Sequence, residues 1–250
     1  MTTANETQTL NAHLDCLKLS FIKENFESHA ATAARNNLPH VGYLASLIAG
    51  EALAKQDRAT TRRINLAHFQ VIKTLDQFNW TWPKKINRSQ IQNLFRLDFI
   101  ASHTNVILLG GVGLGKTHLS IALGHAACLA GHSVLFTTAI DAVQSLIAAR
   151  SANRLPAELR RFTRPDLLIL DELGYLPIDK SGADLLFQIF SRRYEKGSTV
   201  LTANRSLKSW VEIFNNDATL TSAILDRLLH HAETILIDGK SFRTQNIGEE

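Results

Sequence analysis

From Leu10 to about Gln77, apolar residues recur at spacings of three and four, as in Leu44, Leu47, Ile48 and Ala52, with no strand-like alternation. Residues 1–77 therefore read as a small helical domain. The periodicity breaks at Phe78-Asn79-Trp80-Thr81-Trp82-Pro83, which is followed by Lys84 and Lys85. This irregular aromatic and basic stretch reads as a linker over 78–100. Beyond it, short apolar runs alternate with helical stretches. Strands are predicted at 106–109, 134–137, 167–170, 199–202 and 234–237, and helices near 116–130, 141–149, 184–195 and 218–231. Strands separated by helices imply an α/β domain over 101–250 whose parallel sheet is covered on both faces. There is no internal repeat and no low-complexity tract.

A chain of 250 residues can build such a core without disulfides or structural metals. Cys16 and Cys128 lie far apart in apolar stretches, with no second ligand at metal spacing, and read as reduced packing residues suited to a cytoplasmic protein. Residues 1–10 are polar and lack Lys and Arg, so a secretory signal is not expected. The apolar runs are strand-length, far below the roughly 20 residues that cross a bilayer, and a soluble protein with no membrane partner is expected. The formal charge of +4 is uneven: residues 1–100 hold 12 basic and 8 acidic side chains, residues 101–250 hold 15 of each. With a pI near 9.2 this is compatible with a polyanionic partner without requiring one.

The chemistry is concentrated at strand ends. Gly110-Gly111-Val112-Gly113-Leu114-Gly115-Lys116-Thr117 has the P-loop spacing, follows an apolar strand and opens an Ala-rich helix. Such a loop curls so that successive N–H groups and a helix N-terminus face phosphates. Lys116 is then the residue for the β/γ-phosphates of ATP, and Thr117 for Mg2+. About fifty residues on, Leu167-Leu168-Ile169-Leu170 runs into Asp171-Glu172. Asp171 can hold the Mg2+, while strand alternation turns Glu172 to the other side, where it can polarise an attacking water. The strand 199–202 ends near Asn204, whose amide can approach the γ-phosphate unless it is a simple turn residue. Arg227 lies on a late helix that spacing alone does not place, and a surface salt bridge is the plainer reading there. Arg150, Arg154, Arg160, Arg161 and Arg164, opposed only by Glu158, suit either a phosphate backbone or a solvated helix. His230-His231 has no partner at helical ligand spacing.

The strings G-G-V-G-L-G-K-T-H-L, L-L-I-L-D-E-L-G-Y-L-P, S-R-R-Y-E-K-G-S-T-V-L-T-A-N-R and I-L-D-R-L-L-H-H-A closely resemble IstB-like proteins, the ATP-binding helpers of a transposase. These are similar to the helicase loader DnaC and the initiator DnaA. The likeness runs from about Leu17 to Arg243. It implies an AAA+ core with sheet order 5-1-4-3-2 and ATP at the edge between subunits of a homo-oligomer. It makes Asn204 the first sensor, Arg227 an arginine finger acting on a neighbouring subunit, and Arg243 a candidate second sensor. Many AAA+ loops carry Pro where Val112 stands, a change that leaves the backbone cradle intact. The aromatic segment 78–82 is a candidate for enclosing adenine. The resemblance also implies assembly on duplex DNA and recruitment of a transposase through the helical domain.

The expectation is thus an ATPase in which nucleotide binding orders an oligomer on DNA and hydrolysis by Glu172 and Arg227 resets it. A helicase loader would share every catalytic residue. A small-molecule kinase is disfavoured by Glu172 beside Asp171 and by Asn204, both of which suit water as acceptor. An ATP-binding scaffold without turnover would leave Glu172 idle.

Overall fold

The computed structural model describes residues 4–83 and 85–242; Lys84 and Arg243 lie outside the described residues. The chain forms two compact units, Met1–Arg62 and Arg63–Glu250.

The first unit holds α1 (Ala4–Cys16), α2 (Ser20–Arg35) and most of α3 (His40–Leu66). Leu14, Ile22 and Leu47 are buried together. The apolar stripe of α3 is wider than the face the other two helices cover: Leu47 is buried, whereas Leu44 and Ile48 are 57 % and 52 % exposed. Glu51 is buried and makes a polar tie across the unit. It accepts from the Ile22 N–H at 3.1 Å and from Arg58 at 2.7 Å, and Arg58 also donates to Ser20 Oγ at 2.8 Å. Cys16 is exposed rather than packed, because its position ends α1, while Cys128 is buried as expected.

The second unit begins with the last turn of α3. Residues 78–100, expected as a linker, include α4 (Arg88–Leu94) and the start of α5 (Asp98–Ala101), and they bury Phe78, Ile91, Leu94, Phe99 and Ile100 in its core. The described strands are β1 (Asn105–Gly110), β2 (Val134–Thr138), β3 (Leu167–Leu173), β4 (Ser198–Ala203) and β5 (Ala232–Ile237). They pair in parallel in the order β2-β3-β4-β1-β5, the expected 5-1-4-3-2 of an AAA+ core. Residues of each strand alternate between faces. Val106, Leu108, Leu167 and Ile169 pack beneath α6 (Lys116–Leu129), and Ile107, Leu109, Leu168 and Leu170 pack on the opposite side. That side is covered by α7 (Ala139–Ser151), α8 (Leu155–Thr163), α9 (Lys180–Arg193), the short α10 (Trp210–Ile213) and α11 (Ala218–Leu229). Helix α8 was anticipated only as one of two readings of its arginines, a solvated helix; Pro156 in its first turn starts helices as readily as it interrupts them. No described helix is long and apolar enough to cross a membrane.

Candidate nucleotide site

The sheet changes winding direction at β1, between β4 and β5, and the carboxyl ends of strands at such a point are where open α/β sheets form a crevice. There β1 ends at Gly110 and α6 starts at Lys116, so the chain turns within a few residues. Gly113 and Gly115 take φ of 75° and 85°, a left-handed backbone that glycine enters freely. A Cβ at Gly115 would also meet the Phe78 ring at 2.6 Å. Leu114 is buried and anchors the loop in the core. The Lys116 ammonium donates to the carbonyls of Gly110 and Gly111, each at 2.7 Å, so it lies against the loop it closes.

Next to Lys116, Thr117 Oγ1 donates to Asp171 at 2.9 and 3.1 Å. Thr202 Oγ1 donates to the same carboxylate at 2.6 Å. Asp171 is only 2 % exposed. A buried carboxylate beside a threonine hydroxyl is an all-oxygen donor set, which fits a hard divalent cation such as Mg2+.

Strand alternation is not what separates Glu172 from Asp171. The β3–β4 register runs Leu170↔Leu201 and then Leu173↔Ala203, so Asp171 and Glu172 together oppose Thr202 in a bulge. Glu172 has φ of 60° and its N–H donates to Thr202 Oγ1 at 2.9 Å. Bulges of this kind re-aim a side chain. Here the bulge buries Asp171 and leaves Glu172 exposed at the cavity wall.

The cavity measures about 590 Å³ and is lined by the loop from Val112 to His118, by Glu172, Thr202 and Asn204, and by Val71, Phe78, Trp82 and Phe242. That volume is of the size that encloses a nucleotide-sized ligand. Asn204 Oδ1 is buried with no hydrogen-bond partner, which is costly unless a ligand or water satisfies it. Phe78 packs edge-on to Trp80 and His118, at 4.9 and 5.5 Å between centroids. Trp82 donates to the Lys240 carbonyl at 2.9 Å and meets Phe242 edge-on at 5.3 Å.

A family model described as "IstB-like ATP binding protein" matches residues 12–249. The chain belongs to the IstB-like ATP-binding family. It is similar to the insertion sequence IS21 putative ATP-binding protein of Pseudomonas aeruginosa, 40 % identical over 94 % of this chain and 88 % of that one. The IS232 putative ATP-binding protein of Bacillus thuringiensis subsp. berliner is 37 % identical over 97 % and 96 %. Among solved structures, AMPPCP-bound DnaA from Aquifex aeolicus has a TM-score of 0.54 at 23 % identity, covering 66 % of this chain and 50 % of that one. That likeness is one of fold.

In this IstB-like chain Val112 to Thr117, Glu172 and Asn204 line one crevice, with Asp171 held just behind it by Thr117, whereas Arg227 does not line it. Arg227 donates to the Ala223 carbonyl at 2.9 Å and lies over the Phe187 ring at 4.9 Å. The five arginines from Arg150 to Arg164 are all exposed at the end of α7 and along α8. Arg161 pairs with Glu158 at 2.8 Å, and Arg150 donates to Ser181 at 2.6 Å. Sequence reasoning passed over Thr202, although it stands on the strand that leads to Asn204; its hydroxyl had no visible reason until β3 and β4 were paired. Val71 and His118 were likewise missed as cavity residues, Val71 because nothing in its local pattern marks it.

Proposed function

We propose that the protein is an Mg-ATP hydrolase that assembles with ATP on duplex DNA and there recruits or stimulates a transposase. The observation that carries the ATPase reading is the buried Asp171 carboxylate, held by Thr117 and Thr202 beside a cavity lined by Glu172 and Asn204.

On this reading Lys116 exchanges the Gly110 and Gly111 carbonyls for β- and γ-phosphate oxygens, and the N–H groups of residues 111–117 follow the phosphate chain. Thr117 and Asp171 hold Mg2+, which neutralises charge on those oxygens. The Glu172 carboxylate takes a proton from water as the water oxygen bonds to the γ-phosphorus and the bond to the bridging β–γ oxygen breaks, leaving ADP and phosphate. Asn204 is half-buried at the cavity wall with its Oδ1 unpartnered, and its amide suits a role orienting that water or the γ-phosphate. Arg227, set away from the crevice of its own chain, is suited to complete that of a neighbouring copy and to stabilise charge in the transition state. DNA contact is assigned to Arg150–Arg164, following phosphates without base readout. The insertion-sequence relatives favour a transposase over a replicative helicase as partner.

Phosphate release with and without duplex DNA, on wild type and Glu172→Gln, tests the reading alongside mass determination in ATP. DNA-stimulated turnover that drops at least about 100-fold in the variant, with an ATP-dependent rise in mass, is expected. Equal turnover in the two proteins would overturn Glu172's role, and a monomer under every condition would overturn the assembly.

A further inference from the structure

Sequence spacing gives His230-His231 no third ligand, but the fold supplies one. Helix α9 ends at Arg193, and Tyr194 and Glu195, which follow it, lie beside the end of α11. His231 Nε2 stands 3.8 Å from Glu195 Oε1, and the two imidazole centroids are 4.1 Å apart. The Tyr194 oxygen is 2.9 Å from His230 Nδ1. One ligand atom from each of Glu195, His230 and His231 lies within 4.8 Å of the other two.

We propose that Glu195, His230 and His231 form a site for a divalent cation of the zinc class that fastens the end of α9 to the end of α11. Two imidazoles and one carboxylate suit zinc, cobalt or nickel, whereas magnesium and calcium take oxygen donors. Tetrahedral bonds of about 2.0–2.2 Å bring ligand atoms to roughly 3.4 Å from one another, so the three donors must close by about an ångström. All three side chains are exposed and reach that spacing by side-chain rotation. Tyr194 has the role of an orienting outer partner. With His230 Nδ1–H donating to the phenol oxygen, the other ring nitrogen keeps its lone pair for the cation. The Glu195 and Asp226 carboxylates add negative charge near the phenol, against Arg227.

The site lies across the sheet from the nucleotide cavity. The His231 carbonyl accepts from the N–H of Asn105 at 2.8 Å, the first residue of β1, whereas the phosphate loop follows its last. Arg227 sits in the last turn of α11, four residues before His231 in the turn that follows it, and over the α9 residue Phe187. A cation held by Glu195 and the two histidines therefore fixes the helix end that carries Arg227.

Cobalt(II) titration of the tag-free full chain, followed by its visible ligand-field absorption and by zinc displacement, tests this directly and needs no nucleotide. One equivalent with micromolar affinity is expected, together with a zinc-dependent rise in melting temperature. Glu195→Gln and the double variant His230→Gln/His231→Gln should bind at least about tenfold more weakly and lose that rise. His132→Gln, at a second His–carboxylate pair among the described residues, His132 with Asp166 at 4.0 Å, should bind as wild type does. Absence of saturable binding below millimolar cobalt, or binding that survives the double variant or is lost with His132, would overturn the site.

Discussion

Thr202 fixes both carboxylates at once, through a hydroxyl that donates to Asp171 at 2.6 Å and accepts the Glu172 N–H at 2.9 Å. Valine keeps its shape but removes both bonds, freeing the left-handed Glu172 backbone and leaving Asp171 with Thr117 as its remaining hydroxyl donor of the two. A misplaced general base costs rate far more than affinity. Thr202→Val is therefore expected to lower turnover roughly 10- to 100-fold with nucleotide affinity changed only a few-fold, and Thr202→Ser to restore most of it. Steady-state phosphate release and nucleotide titration read the two effects separately; an equal loss in both would mean that Thr202 serves the fold alone. The loop Gly110–Thr117 and the pair Asp171-Glu172 were legible because their spacing is local, set by one strand, one turn and one helix. Thr202 was not, since its role arises from the pairing of β3 with β4, thirty residues apart in the chain.

Elements in both units are fastened at their ends by buried charged groups. Arg193, 2 % exposed, donates to Thr199 Oγ1 and to the carbonyls of Phe162, Pro165, Asp166 and Ser198, tying the ends of α8 and α9 to the starts of β3 and β4. Burial pulls its pKa down to about 10, against the opposing pull of Asp166, so it stays charged at neutral pH. Methionine would leave several buried acceptors unpaired, each costing about 1–3 kcal/mol. Arg193→Met is expected to lose at least about 3 kcal/mol in thermal or urea unfolding, and Arg193→Lys most of that, because an ammonium cannot span the fork. In the helical unit, burial acts to raise the Glu51 pKa, but hydrogen bonds from Arg58 and the backbone of Ile22 and Phe21 outweigh it and hold the group below its ordinary value of 4.5. A depressed carboxyl stabilises above its unfolded pKa and loses that contribution as pH falls. The stability advantage of wild type over Glu51→Gln should thus be full at pH 7 and shrink as pH drops below about 4.5, measured by circular dichroism of the full chain; a gap independent of pH would refute it. The strands and most helices were readable from apolar period. Helix α8 was obscured by its arginines, and the α3 stripe promised more burial than three helices provide.

For the whole molecule, charge balance decides how DNA would be engaged. Residues 101–250 carry 15 basic and 15 acidic side chains, so this region has no net field to draw in a polyanion, and attraction must come from where the charges stand. The exposed arginines at the end of α7 and along α8 are such a concentration, but they are not equivalent. Arg161 is engaged by Glu158 at 2.8 Å and by the Phe162 ring at 5.5 Å, so a phosphate gains less from it than from Arg160. Each phosphate contact releases counterions and contributes about 0.9 to the slope of log affinity against log salt on duplex DNA. Replacing both arginines with alanine should weaken duplex binding in ATP and flatten that slope by up to about 1.8, with Arg160→Ala alone giving the larger share. The loss should be the same on duplexes of unrelated sequence, because backbone contacts carry no base readout. An unchanged slope would move DNA recognition off this face, whereas a loss confined to one sequence would mean that these arginines read bases.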